Sequence, residues 1–143
     1  MDFLDYSSEE NSRKGMRMDL LVPGTQQPAT HQAKGDTEPR QMYITLLGPE
    51  SPVTKRFMRQ IAQRGQGKNG KRVHSPSDDD LEAERIADAK GLASMTVDGL
   101  IFFDKQWIEL NADNAFVVYD KVLAARAQAL DFVFDFTNFT KAA

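Results

Sequence analysis

The feature that most constrains the fold is an apolar C-terminal stretch, residues 111–139, in which apolar side chains recur at helical spacing. With about 100° of rotation per residue, these side chains fall on two opposite sides of a single helix. One stripe consists of Ala127, Leu130, Val133 and Phe134. The other consists of Phe132, Phe136 and Phe139. A surface helix needs only one apolar stripe, so the second must pack elsewhere in the fold, on another copy or on a partner.

Two interpretations of the second stripe remain open. Both stripes can belong to the core, because apolar residues at helical spacing usually pack inside a protein. Alternatively, Phe132, Phe136 and Phe139 form a partner-binding surface. Burial of each phenylalanine would contribute roughly 1.5–3 kcal/mol, so the three together could hold an amphipathic segment of another protein.

Two strands are predicted in the N-terminal third of the chain. Residues 16–22 alternate between apolar and polar side chains, and residues 41–47 are rich in side chains that suit a pleated sheet. The two segments could pair as an antiparallel ribbon. Between them, residues 23–40 contain three prolines and two glycines with almost nothing to bury, which predicts a mobile loop.

Helices are predicted after the strands. Ser51 followed by Pro52 marks a helix start, and Ser77 followed by three aspartates marks another. Residues 65–76 form a glycine-rich basic segment that predicts a second mobile loop. Residues 98–110 contain turn signals at Asp98–Gly99 and Asp104–Lys105 around one or two brief strands. Asn111 is predicted to cap a helix that continues to about residue 139, with a break near residues 124–126.

These patterns predict an α+β fold with an N-terminal antiparallel strand pair and a mainly α-helical C-terminal two-thirds. The chain has 143 residues, which is enough for one core. We expect a flexible N-terminus at residues 1–15 and a single domain at residues 16–143.

A basic segment interrupts this otherwise acidic chain, whose net charge is −3. Residues 55–72 contain seven basic and no acidic side chains. The candidate anion-binding residues are Arg56, Arg59, Arg64, Lys68, Lys71 and Arg72. Such a cluster could neutralise phosphates, so a nucleic-acid-binding module remains an alternative. Acid elsewhere in the chain makes a solvated loop the simpler interpretation, and we do not expect nucleic acid as the partner.

The sequence gives little support for catalysis, a cofactor or a metal. There is no cysteine, and the two histidines, His31 and His74, lie in predicted loops without metal-ligand spacing. The GxGxxG pattern at residues 65–70 follows a predicted helix, whereas a dinucleotide site requires a strand before it. No apolar run approaches the roughly 20 residues of a membrane helix, and the acidic N-terminus is unlike a secretion signal. We therefore expect a non-enzymatic cytoplasmic protein with no membrane contact.

From about Met42 onward, the order of features resembles the tail assembly chaperones of long-tailed bacteriophages and prophages. A strand ends in a turn with the sequence GPES at residues 48–51, followed by a helix and a polar segment. An acidic helix then leads to a small apolar element with the sequence VDGLI at residues 97–101. The chain closes with LNADNAF at residues 110–116 and FVFDFTNF at residues 132–139. The resemblance covers roughly two-thirds of the chain.

The resemblance implies a transient factor that coats the helical tape measure protein, keeps it soluble and recruits tail tube subunits. It also implies action in the cytoplasm of the bacterial host and absence from the mature virion. A long client needs many weak sites offered by many copies, so we expect self-association. Another phage morphogenesis protein, such as a tail terminator or connector, is the nearest alternative.

Overall fold

The computed structural model describes residues 2–64 and 77–141. Its helices are α1 (Glu9–Lys14), α2 (Pro52–Ala62), α3 (Asp78–Ser94), α4 (Phe116–Lys121) and α5 (Leu123–Phe134). Its strands are β1 (Met16–Asp19), β2 (Thr30–His31), β3 (Arg40–Gln41), β4 (Tyr43–Leu46), β5 (Thr96–Phe103) and β6 (Gln106–Leu110). Short 3-10 turns occur at Phe3–Tyr6 and Phe136–Phe139. The predicted loop at residues 65–76 lies outside the described residues.

The main sheet has four antiparallel strands in the order β1-β4-β5-β6. Met18, Ile44, Gly99 and Leu110 lie opposite one another across the four strands and are buried on one face. Because residues directly opposite on antiparallel strands share a face, this row forms the sheet side of the core. The helix side of the core is formed by buried residues of α3, α4 and α5, such as Leu92, Tyr119 and Val133.

The predicted arrangement of strands was wrong, although the fold is α+β in general. β1 and β4 do pair antiparallel, with Met16 opposite Leu46, but they are half of a larger sheet. The other half is the β5–β6 hairpin, which lies within the region expected to be mainly helical. The C-terminal two-thirds therefore contributes two of the longest strands as well as four helices.

The length of β5 was underestimated because of a misleading turn signal in the sequence. Asp98–Gly99 reads locally as a turn, yet both residues lie inside β5. A Cβ added at Gly99 would lie 2.8 Å from the Tyr43 carbonyl oxygen, so this glycine permits close approach of β4 and makes no turn. The turn is at Asp104 and Lys105, whose φ angles of 51° and 68° match the two-residue turn that favours the right-handed strand twist.

The C-terminal helix was predicted to continue to about residue 139 with one break near residues 124–126, but it is interrupted at Val122 and Asp135 instead. Val122 is extended, with φ −117° and ψ 98°, and separates α4 from α5. α5 then ends at Phe134, because Asp135 is again extended and its carboxylate caps the following 3-10 turn. Asn111 Oδ1 accepts from the backbone N–H groups of Asp113 and Asn114, which places a turn before α4. The helical wheel drawn through residue 139 therefore does not apply beyond residue 134.

Residues 23–40, the predicted mobile loop, include β2 and one side of a small β2–β3 sheet. In this small sheet, His31 of β2 lies opposite Arg40 of β3. The His31 ring stacks on Phe102 with centroids 3.9 Å apart, and the Trp107 indole N–H donates to Asp36 at 3.0 Å. These contacts place the segment against the β5–β6 hairpin, on the face of the sheet opposite the core.

Among the described residues, the structure has no helix of the length and apolar character needed to span a membrane.

Candidate partner-binding groove

The three phenylalanines predicted as a docking surface do not share one surface. Phe139 is fully buried, and its ring packs where a Cβ on Gly48 would lie 2.5 Å from Cδ1. Phe132 is half-buried and meets Phe139 edge to face, with ring centroids 5.3 Å apart. Phe136 is 59% exposed. The break at Asp135 separates these side chains, so Phe136 alone is presented to solvent.

The other predicted stripe is divided as well. Val133 is fully buried and Leu130 is half-buried, whereas Ala127 and Phe134 are exposed. The buried face of α5 is instead formed by Ala125, Ala129 and Val133. Phe134 is 44% exposed and its ring lies parallel to the Phe57 ring, at a centroid distance of 6.4 Å. This stacking links the end of α5 to α2.

Next to this aromatic pair, α2 and α3 form a groove of about 450 Å³ that is open to solvent. Its lining residues occupy successive turns of the two helices: Val53, Arg56, Phe57 and Gln60 on α2, and Ala87, Lys90, Gly91 and Ser94 on α3. We call this the α2–α3 groove. Its apolar floor on α2 is the exposed part of Val53, with the buried Phe57 ring beneath the groove, and the exposed Phe134 ring beside Phe57 adds apolar surface next to it.

The groove depends on a glycine in the middle of α3. A Cβ added at Gly91 would lie 2.2 Å from Phe57 Cδ1, so the ring packs directly on the α3 backbone. Phe57 is only 3% exposed as a result. Small residues at 87 and 91, one turn apart, allow the two helices to approach closely while the exposed side chains around them remain long.

Two cations stand at the edge of this apolar floor. Arg56 and Lys90 are both exposed, and neither forms an ion pair with any other described residue. An apolar strip bordered by unpaired cations is suited to an amphipathic segment with acidic side chains beside its apolar stripe. The aliphatic stems of the arginine and lysine can also cover part of the apolar surface.

The predicted anion patch is not a single cluster in the described part of the chain. Arg56 borders the groove and Arg59 is exposed elsewhere on α2. Arg64 is paired with Asp88 at 2.5 Å, with both side chains about one-fifth exposed. Lys68, Lys71 and Arg72 lie outside the described residues. Of the three patch arginines that are described, Arg56 lies at the groove, Arg59 lies away from it and Arg64 is neutralised by Asp88.

The ionisable groups with shifted pKa values lie at structural contacts rather than in the groove. Burial raises the pKa of Tyr119, whose hydroxyl lies 2.8 Å from Thr96 Oγ1. A backbone hydrogen bond from Ala33 and the Trp107 N–H lower the pKa of Asp36. A hydrogen bond to Glu82 raises the pKa of Arg85, which also pairs with Asp120. Within residues 2–64 and 77–141, no group of three or more acidic or histidine side chains could hold a metal ion.

The sequence contained a signal for the groove that the helical wheel did not detect. Gly91 interrupts a good helical pattern, and such a glycine usually has a packing reason. Its partner Phe57 is 34 residues away in the chain, however, so periodicity within either helix does not identify the contact. His74 lies outside the described residues, and His31 is occupied by its stack on Phe102.

Comparisons of this chain with protein-family models, with curated proteins and with solved structures found no match.

Proposed function

We propose that this chain is a tail assembly chaperone of a long-tailed bacteriophage or prophage, which binds the tape measure protein and recruits tail tube subunits. The α2–α3 groove is the observation that best supports this proposal, because it offers an apolar floor and two cations that form no ion pair with other described residues. The order of motifs from residue 42 onward supports it independently. No catalytic chemistry is required of the chain.

The groove would bind an amphipathic helical segment of the client. Apolar client side chains would cover Val53 and the exposed part of Phe134, and acidic client side chains would pair with Arg56 and Lys90. Fully covering one large apolar side chain contributes roughly 1.5–3 kcal/mol, and these two are already partly buried and contribute less, before the costs of ordering both partners. A single groove would therefore bind weakly and reversibly.

Weak binding suits a long client and a transient factor. A tape measure protein presents many amphipathic segments, so many copies of the chaperone would cover it without tight binding at any one site. The copies would be displaced in the host cytoplasm as tube subunits assemble around the client, and the mature virion would then lack them. The acidic remainder of the chain would keep the coated client dispersed, since net charge opposes aggregation.

The experiment is co-expression of the chain with the tape measure protein of the same phage or prophage. The groove variant is Arg56→Glu/Lys90→Glu, which reverses the two cations that border the floor. The matched control is Lys55→Glu/Arg59→Glu, which makes the same charge changes at exposed positions that do not line the groove. We expect wild type and the control to keep the client in the soluble fraction and the groove variant to lose roughly tenfold or more of it.

Two results would contradict the proposal at different levels. If the client is equally insoluble with and without the wild-type chain, the chaperone function is wrong. If the groove variant folds and still protects the client as the control does, the function stands and the groove is not the client site. Circular dichroism of the purified variants establishes folding in each case.

A further inference from the structure

The N-terminal turn presents large apolar side chains to solvent. Phe3 is 85% exposed and Leu4 is 63% exposed, although burial of such side chains normally stabilises a protein. The turn is held in shape, because the Asp2 carboxylate accepts a hydrogen bond from the Leu4 N–H at 2.9 Å. A second carboxylate, Asp5, lies in the same turn. The turn is therefore a preformed apolar projection beside two acids. We call the side chains of Phe3 and Leu4 the knob.

The base of this turn is fixed to the C-terminal end of the same molecule. The Lys141 N–H donates to the Ser7 carbonyl at 3.2 Å, and Asn11 Nδ2 donates to the Thr140 carbonyl at 3.2 Å. Phe3 and Leu4 do not line the α2–α3 groove of their own molecule. The knob thus projects from an anchored base and has its apolar side chains free for another molecule.

We propose that the N-terminal turn of one copy docks in the α2–α3 groove of the next copy. Phe3 and Leu4 would cover the apolar floor at Val53, and the acids of the turn would face the cations of the groove edge. The two surfaces match in both respects that matter for recognition: exposed apolar groups meet the apolar floor, and carboxylates meet cations that form no ion pair with other described residues. A second copy of this chain is therefore the occupant.

Sheet edges offer a poorer route to self-association. The outer edge beyond β1 is occupied by Gln128, whose amide accepts from the Leu21 N–H at 3.2 Å and donates to the Asp19 carbonyl at 2.9 Å. At the other edge, Asn114 Nδ2 donates to the Glu109 carbonyl at 2.9 Å. These amides occupy backbone groups that a pairing strand would need. Groove docking leaves both edges undisturbed.

The proposed contact joins two different surfaces, so it is heterologous and repeats in one direction. Repetition gives a ring if the rotation closes and an open filament if it does not. The inference rests on the proposed function in one respect, namely that the groove is a protein-docking site. Because one groove cannot hold two segments, the N-terminal turn of a neighbour would occupy it until a client segment displaces the turn.

The test mixes two variants in the absence of any client. Phe3→Ser/Leu4→Ser removes the knob and leaves the groove, whereas Arg56→Glu/Lys90→Glu damages the groove and leaves the knob. Sedimentation of wild type over rising concentration should show species larger than a dimer. Each variant alone should associate at least roughly tenfold more weakly, and the two mixed in equal amounts should form a heterodimer that grows no further. Lys55→Glu/Arg59→Glu should associate like wild type.

Three outcomes would overturn the inference: wild type that stays monomeric, a Phe3→Ser/Leu4→Ser variant that associates like wild type, or a mixture that does not form the heterodimer. The third outcome is the one expected if the turn docks within its own molecule or if the copies pair symmetrically, because mixing the two variants restores neither arrangement. With client present, Phe3→Ser/Leu4→Ser should keep the client soluble at least as well as wild type. Loss of client protection in that variant would show that knob and client do not compete for the groove. If only the sedimentation results contradict the contact between copies, the chaperone function is unaffected.

Discussion

Trp107 is the only tryptophan in the chain, and its indole N–H donates to Asp36 Oδ2 at 3.0 Å. The same oxygen accepts from the Ala33 N–H at 2.9 Å. Arg40 lies over the Trp107 ring, 4.7 Å from its centroid. One carboxylate therefore joins the segment between β2 and β3 to the β5–β6 hairpin, and the indole reports on that contact.

Acid should release this contact. Hydrogen bonds from Ala33 and Trp107 hold the pKa of Asp36 below its ordinary value of 3.8, so the carboxylate form is favoured in the folded state. The stabilisation is present above about pH 4 and is lost as the pH falls through the lowered pKa. We expect a red shift of Trp107 fluorescence over that range. Asp36→Asn keeps an acceptor for the indole but has no proton to gain, so its emission should not show this transition. The same transition in both proteins would contradict the assignment.

At the scale of elements, local signals identified the long helices and misjudged the sheet. Ser51–Pro52 and the Ser77 capping box with Asp80 are read directly from neighbouring residues, and α2 and α3 begin where they predict. The extent of β5 depended on Gly99 approaching Tyr43, a contact between residues 56 positions apart. The groove likewise depended on Phe57 meeting Gly91. Periodicity describes one element at a time, so contacts between elements were not predictable from it.

Gly91→Ala tests the contact that shapes the groove. In an exposed helix, this change would stabilise by about 0.8–1 kcal/mol. Here the new methyl group would overlap the Phe57 ring, and forcing a group into a packed site costs about 1–3 kcal/mol. We expect a net loss of up to about 2 kcal/mol in the free energy of unfolding measured in urea.

A double-mutant cycle separates the steric effect from a general weakness of α3. Phe57→Leu alone should destabilise, because it leaves space beneath the groove. The double variant with Gly91→Ala should lose about 1 kcal/mol less free energy of unfolding than the sum of the two single losses, since the smaller side chain relieves the overlap. Simple additivity would show that Gly91 is not required by Phe57.

At the scale of the whole molecule, the two ends of the described chain meet around Phe139. Its ring is fully buried beside Gly48 and Ser12, and a Cβ on Gly48 would lie 2.5 Å from the ring and 2.6 Å from the Ser12 hydroxyl oxygen. The Gly48 N–H donates to the Ser12 carbonyl at 2.8 Å. α1, the turn before α2 and the C-terminal 3-10 turn are thereby packed together. The sequence pattern placed Phe139 on the same side as Phe136 because it had no information about this closure.

Phe139 and Phe136 form a matched pair that tests the closure. Both lie in the same 3-10 turn, but one is fully buried and the other is 59% exposed. Phe139→Ala should lower the free energy of unfolding by about 3–5 kcal/mol, because it removes a packed ring and leaves a cavity between the chain ends. Phe136→Ala should lie within about 0.5 kcal/mol of wild type, because its ring has little contact to lose. Urea unfolding followed by circular dichroism gives both values. Equal losses from the two changes would contradict the unequal burial of the two rings, and a larger loss from Phe136→Ala would mean that Phe136 rather than Phe139 joins the ends of the fold.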